Sequence, residues 1–207
     1  MMRSRRTGSV GLVLCAATIA ALVPGGTAAA ATVAATTLIS VAVDGKPGAG
    51  ASGEPSVSAD GRYVAFRSSA RNLVAGDTNG VDDVFVRDRV AGVTTRVSVD
   101  RNGDSDGTTE GVRPSISADG RYTAFDSFAW RLVPFDRNSV WDVFVRDRDT
   151  ATTTRASVTG NGTEGNGDSA TPSVSADGKH VAFQSVATDF ATGTDMWTPN
   201  VYLRDLG

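Results

Sequence analysis

The side chains of this sequence that could do chemistry are mostly oxygen donors in loops. Asp77, Asn79 and Asp83 stand at alternating positions around a glycine, and Asp136, Asn138 and Asp142 repeat the spacing further on. Hard cations such as calcium take carboxylate and amide oxygens presented by a turn. The glutamate that closes a twelve-residue calcium loop is missing from both sets, so the same residues read more readily as turn formers that cap loop backbone. A third copy, Thr194 to Asn200, has lost most of the pattern, and another acidic cluster runs through Asn102, Asp104, Asp106 and Glu110. Gly103 to Gly107 spells G-x-S-x-G around Ser105, the arrangement that presents a nucleophilic serine when a strand turns sharply into a helix. Here the motif lies in a polar loop with no helix pattern after it, and the only histidine, His180, falls in a strand pattern. Asp60, Asp119 and Asp177 could suggest carboxylate-pair glycoside chemistry. They recur in every copy of a repeat, however, and a catalytic pair is expected to be unique. Five residues that do not recur are better candidates for contact: Trp130, Phe135, Trp141, Met196 and Trp197. Exposed aromatics on loops suit protein or carbohydrate surfaces, or a cover for an otherwise bare end.

The elements that must position these residues come from an internal repeat. PSVSADGRYVAFRSSA at 55–70 returns as PSISADGRYTAFDSFA at 114–129 and as PSVSADGKHVAFQSVA at 172–187, steps of 59 and 58 residues. DVFVRD at 83–88 and 142–147, with NVYLRD at 200–205, keeps the same phase. So does TTRVSV at 94–99 with TTRASV at 153–158, and an earlier TTLISV lies at 36–41. Each unit reads as four short strands, at 55–58, 62–68, 83–88 and 94–99. Proline is tolerated at the first strand's start, and Asp60-Gly61 is expected to form a two-residue hairpin turn with both positions at positive φ. Alternation puts Val64 and Phe66 on one face and Tyr63 and Ala65 on the other, and likewise Val84 and Val86 opposite Phe85 and Arg87. The second strand is apolar on both faces, with alanine always at 65, 124 and 182. That predicts sheets packed on both sides. Radially stacked four-stranded sheets are propeller blades.

The run of proline, S-A-D-G and R-Y-V-A-F resembles the WD40-like repeats of TolB and related exported bacterial proteins, and D-V-F-V-R-D is similar to a variant of that repeat. The resemblance covers nearly all of the chain after residue 31. It implies an all-β propeller fold and a role in protein contacts, and it carries no catalytic residues. The strand count is twelve, three blades' worth. The lone early strand, 36–41, matches the one absent from the third unit, so the blades are expected to be open or completed in a two-fold dimer.

Residues 1–31 read as a secretory signal peptide: Arg3, Arg5 and Arg6, an apolar run from Val10 to Val23, then small residues with an A-x-A site. The run is shorter than the ~20 apolar residues of a membrane span. Its removal takes away the one cysteine, Cys15, and leaves 17 basic against 23 acidic side chains, a net charge of −6. That argues against nucleic acid and anionic membranes. The domain is expected at 32–207, secreted, with no membrane span after cleavage and no cofactor implied beyond possible calcium. Tight turns should share one rim and long loops the other, where binding is expected. The reading is non-catalytic recognition of a protein or carbohydrate through the long-loop rim, against a carbohydrate-active or other hydrolytic propeller enzyme, or a structural fragment. Arg87, Arg146 and Arg204, with Asp88, Asp147 and Asp205, are expected to form repeated inter-blade or inter-strand pairs.

Overall fold

A computed structural model describes residues 35–100, 102–104 and 112–207, and one compact unit spans Thr37–Gly207. The signal peptide read at 1–31 and Ser105 both lie outside the described residues. All regular structure among them is strand: β1 (Ser52–Val57), β2 (Tyr63–Ser68), β3 (Asp83–Asp88), β4 (Val93–Arg96), β5 (Ser115–Ile116), β6 (Tyr122–Ser127), β7 (Asp142–Asp147), β8 (Thr152–Arg155), β9 (Ser169–Val174), β10 (His180–Ser185) and β11 (Asn200–Asp205). They form three antiparallel meanders, β1-β2-β3-β4, β5-β6-β7-β8 and β11-β10-β9. These are propeller blades, in the sequence order the repeat predicts. The count is eleven strands among the described residues, not twelve, and the third blade has three. The expected lone strand at 36–41 is not one: only Val41 forms an isolated bridge, to Pro47.

The blades stack through the alternation. Ala65, Val84, Val86 and Val97 of blade one meet Val112, Ile116, Phe125, Leu132 and Phe144 of blade two in one buried cluster. Ala124, Val143, Val145 and Ala156 of blade two meet Val181 and Phe183 of blade three in the next. Alanine at 65 and 124 is fully buried and lets the sheets approach closely, whereas Ala182, in the third sheet of the described residues, is half-buried. The prediction of sheets packed on both faces therefore holds between blades and fails at the free end. Each stacking step is also hydrogen-bonded. Ile116 N donates to Ser56 Oγ (3.1 Å) and Val174 N to Ser115 Oγ (3.0 Å). Ala59 N donates to Ala118 O, and Ala118 N to Ala176 O, each at 3.0 Å.

Two local readings are corrected. The Asp-Gly pair is not a two-residue turn with two positive φ angles. Gly61 N bonds Ser58 O (2.9 Å), so Ala59 and Asp60 are the central residues and only Gly61 has positive φ (70°). A type I turn followed by a left-handed glycine is the alternative hairpin solution. Asp60 fixes it by accepting from Ser58 Oγ (2.7 Å) and Arg62 N (2.9 Å), while Ser58 Oγ accepts from Tyr63 N. The same turn recurs at 117–120 and 175–178. The prolines also do not sit at strand starts in β1 and β9. Pro55 and Pro172 lie inside these strands at bulges, after Glu54 (φ 50°) and Thr171 (φ 53°). A bulge removes the ladder position at which proline's missing N–H would be needed.

One buried hydroxyl is out of place. Thr123 is fully buried in β6 where the other blades have Val64 and Val181, and its Oγ1 finds no hydrogen-bond partner among the described residues. Replacing it with the isosteric valine removes an unsatisfied polar group. Thr123→Val is expected to stabilise by about 1 kcal/mol and to raise the melting temperature by about 3 °C. An unchanged or lower melting temperature would show the hydroxyl to be satisfied in solution.

Candidate functional site

The two rims separate as the antiparallel order requires. The β3–β4 turn closes against the Ser-Ala-Asp-Gly turn: Arg89 N bonds Arg62 O (2.9 Å) and Arg89 Nη1 bonds Gly61 O (2.7 Å). The repeated Asp88 and Asp147 lie on this rim. They pair with Arg62 and Arg121 across the sheet (2.7 Å each), not with the neighbouring Arg87 and Arg146, which donate to Thr94 and Thr153 (3.0 Å each). The arginine beside each aspartate points to the opposite face of the strand. The aspartates thus pair between strands as expected, but their partner is the arginine after the turn glycine. Its guanidinium holds the Asp88 and Asp147 carboxyls well below the usual carboxylate range.

The opposite rim carries the long connections 69–82, 128–141 and 156–168, and the described residues of 97–114. They are tied together by Arg131 with Asp100 (3.8 Å) and by Glu164 Oε2 accepting from Arg137 N (3.1 Å). Here the oxygen-rich sets assemble, each with an arginine inside. Arg96 lies 3.3 Å from Asp77 and 3.6 Å from Asp83, and Asp83 also accepts from Ser98 Oγ (2.6 Å) and Asn79 Nδ2 (2.9 Å). In blade two Arg155 lies 3.7 Å from Asp136, 3.3 Å from Asp142 and 2.7 Å from Glu164. Asp142 accepts from Ser157 Oγ and Asn138 Nδ2. Burial raises the Asp83 and Asp142 carboxyls above the usual range, against the pull of these partners. The guanidinium supplies positive charge at the centre of the donors read as possible calcium ligands, and the asparagine and serine hydrogens use further lone pairs. The sequence signal that would have shown this is the arginine of TTR, present beside both acidic sets.

The five aromatic and methionine candidates do not form one patch. Trp130 and Phe135 line a single groove of about 520 Å³ with Asp100, Asn102, Arg131, Pro134, Asp136 and Arg137. Trp130 is 66% and Phe135 79% exposed. Phe135 is held at φ 63°, a left-handed conformation uncommon for a bulky residue. Arg131 lies 5.9 Å from the Trp130 ring centre and Arg137 5.5 Å from that of Phe135, so each aromatic is flanked by a guanidinium. Trp141 instead packs on Phe128 (6.3 Å) and its backbone N–H bonds Asp168 (2.9 Å). Met196 and Trp197 are exposed on the third blade's loop, Trp197 at 90%, and do not line this groove. Asp60, Asp119 and Asp177 are each engaged in the tight turns of the other rim. His180 occupies β10, its backbone N–H bonded to Ser175 Oγ (3.0 Å). Sequence reasoning missed Asp126, which stands where the other blades have Arg67 and Gln184. It is buried, accepts from Arg113 N (2.8 Å) and Thr171 N (3.3 Å), and so stitches the connection between blades one and two to β9.

No family model and no curated protein matches this sequence. Among solved structures the chain is similar to TolB from Acinetobacter baumannii, with 20% identity over 78% of this chain and 31% of that one and a TM-score of 0.47. It is similar also to the β-propeller domain of the Trilobed protease from Pyrococcus furiosus, with 13% identity, 74% and 43% covered and a TM-score of 0.41. A third is the Pyrococcus horikoshii acylaminoacyl peptidase, with 13% identity, 66% and 17% covered and a TM-score of 0.39. The chain thus spans about a third of the length of the TolB chain it matches.

Proposed function

We propose that this chain is an exported, non-catalytic recognition module that binds a protein partner through the groove of the second blade's long loop. The observation that carries the reading is the pair Trp130 and Phe135. Both are exposed, both stand beside an arginine, and Phe135 keeps an unfavourable backbone angle to present its ring. Backbone strain at an exposed position is retained where the surroundings impose it, and such positions cluster at ligand sites. Aromatic and arginine side chains dominate the energetics of protein contacts. The aromatic pair is particular to blade two: the first blade has Arg71 and Gly76 at the positions of Trp130 and Phe135, and the third has Thr188 and Gly193. The basic leader and apolar run at 1–23 support export.

The test is capture from the extracellular milieu on immobilised chain, beside a Trp130→Ala/Phe135→Ala variant. The intact chain is expected to retain a specific protein, and the variant to bind it at least about a hundredfold more weakly, with an unchanged melting temperature. Capture should be insensitive to chelator, because arginine occupies the acidic sets. Equal capture by chain and variant would place the site elsewhere. Retention of glycan and not of protein would replace the partner class.

A further inference from the structure

Segment 36–41 and the third blade each carry part of a pattern that the first two blades carry whole. In blades one and two the fourth strand is followed by one conserved chain path. Val97 N bonds Val84 O (2.8 Å) and Ala156 N bonds Val143 O (2.7 Å). Ser98 and Ser157 accept from Val84 N and Val143 N (3.0 and 3.1 Å) and donate to Asp83 and Asp142. The chain then turns, Thr159 N to Thr163 O (2.8 Å), with Val158 bridging Glu164. Segment 36–41 repeats that path without a sheet to belong to. Ala42 N bonds Lys46 O (2.7 Å), Gly48 N bonds Ser40 O as Gly165 N bonds Ser157 O, and Val41 bridges Pro47. Ile39 packs on Phe66, Leu73 and Phe85 of blade one, as Val97 packs with Phe125, Leu132 and Phe144 of blade two. The segment is thus seated as the fourth strand of a blade preceding blade one, and Leu38 beside it is exposed.

Blade three is complementary to it. β11 is the outer strand of its sheet, and its Val201 and Leu203 are 75% and 70% exposed where Val84, Val86 and Val143 are fully buried. The charges match too. Blades one and two bury an arginine against two aspartates, Arg96 with Asp77 and Asp83, and Arg155 with Asp136 and Asp142. In blade three the aspartate positions are Thr194 and Asn200, and in segment 36–41 the arginine position is Leu38. All three charges are lost together, although the arginine and its aspartates lie in segments 156 residues apart in this chain. An arginine kept at 38 would have no aspartate to meet in blade three, and a buried unpaired charge is costly. The remaining stacking contacts have open counterparts of the same kind. Tyr63 packs against Gly120 and Tyr122 against Gly178, which leaves His180 at one end and Gly61 at the other. Ser173 Oγ and Val57 N, and Ala176 N and Ala59 O, are the corresponding hydrogen-bonding pairs.

We propose that two copies of this chain associate head to tail, segment 36–39 of each completing the sheet of blade three in the other, to close a ring of six blades. The register follows from Phe85 with Arg96 and Val86 with Thr95: Tyr202 faces Leu38 and Leu203 faces Thr37 of the second copy. This inference is independent of the recognition groove, which uses the loops of blade two.

The test is a Thr37→Cys/Leu203→Cys variant of the full chain carrying Cys15→Ala, oxidised and run without reductant, with light scattering of the unmodified chain. A covalent dimer is expected from the pair, none from a Thr37→Cys or a Leu203→Cys variant alone, and twice the chain mass by scattering. A Val201→Glu/Leu203→Glu variant should keep its strand circular dichroism and weaken dimerisation by about a hundredfold. A chain that scatters as a monomer at its highest soluble concentration, a ladder of covalent polymers, or a dimer that survives the two glutamates would each overturn the closed ring.

Discussion

Gly120→Ala is expected to destabilise the protein by about 3 to 5 kcal/mol, while the same change at Gly61 costs about 1 to 2 kcal/mol. Both glycines end the same Ser-Ala-Asp-Gly turn with positive φ, 75° and 70°. A side chain there pays the left-handed backbone penalty in either blade. At Gly120 the added methyl also runs into the Tyr63 ring of the preceding blade, whereas at Gly61 it meets only the tip of Arg89, 3.6 Å away. Displacing Tyr63 would also cost its contacts with Arg62 and Arg148, whose guanidinium groups lie 4.8 and 4.6 Å from its ring centre. Urea midpoints of the two variants give the difference directly. Equal losses would mean that the blades do not meet through this ring.

The second large effect concerns the buried arginines. Arg155→Leu should cost about 3 to 5 kcal/mol, because it strands Asp136 and Asp142 in the interior with their countercharge gone. The triple change Asp136→Thr/Asp142→Asn/Arg155→Leu installs the residues that blade three and segment 36–41 carry, and is expected to recover most of the loss. Buried ion clusters replaced by neutral groups are commonly no less stable, whereas broken ones lose stability, and the member left in place, Glu164, is partly exposed. The melting temperature of the single variant is expected to fall by about 10 °C and that of the triple variant by less than half as much. If the triple is as unstable as the single, the neutral set does not pack as a unit.

The blades were legible because their signal is carried by repetition. Val84, Phe85 and Val86 alternate in a run that recurs in phase with the alanines at 65 and 124, and only stacked sheets bury both faces of such strands. The turn was misread because Asp-Gly is ambiguous in isolation. Whether aspartate takes positive φ depends on Ser58, whose hydroxyl reaches Asp60 and the Tyr63 amide. The likeness of 36–41 to 94–99 predicts a strand, yet a strand exists only with a neighbour, and among the described residues it has only the Val41–Pro47 bridge. The donors of each acidic set come together, but spacing does not show the arginine among them, because Arg96 is 19 residues from Asp77 in the chain and enters the set only once β3 and β4 pair. Of the contact candidates, Trp130 and Phe135 share a groove and Trp141 does not. Its position directly before the β7 strand draws it toward the sheet, and spacing alone could not reveal that.

The serine–aspartate turn has a consequence for the environments in which the molecule keeps its shape. Asp60, Asp119 and Asp177 are all held below the ordinary carboxylate value, by a backbone N–H first at Asp60 and by the serine hydroxyl first at the other two. A group with a depressed folded value contributes above its unfolded value and loses that contribution as pH falls through the folded one. The three corners therefore keep this contribution in mild acid and lose it as pH falls below the ordinary carboxylate range, whereas on the loop-bearing edge Asp83 and Asp142 are shifted the other way by burial.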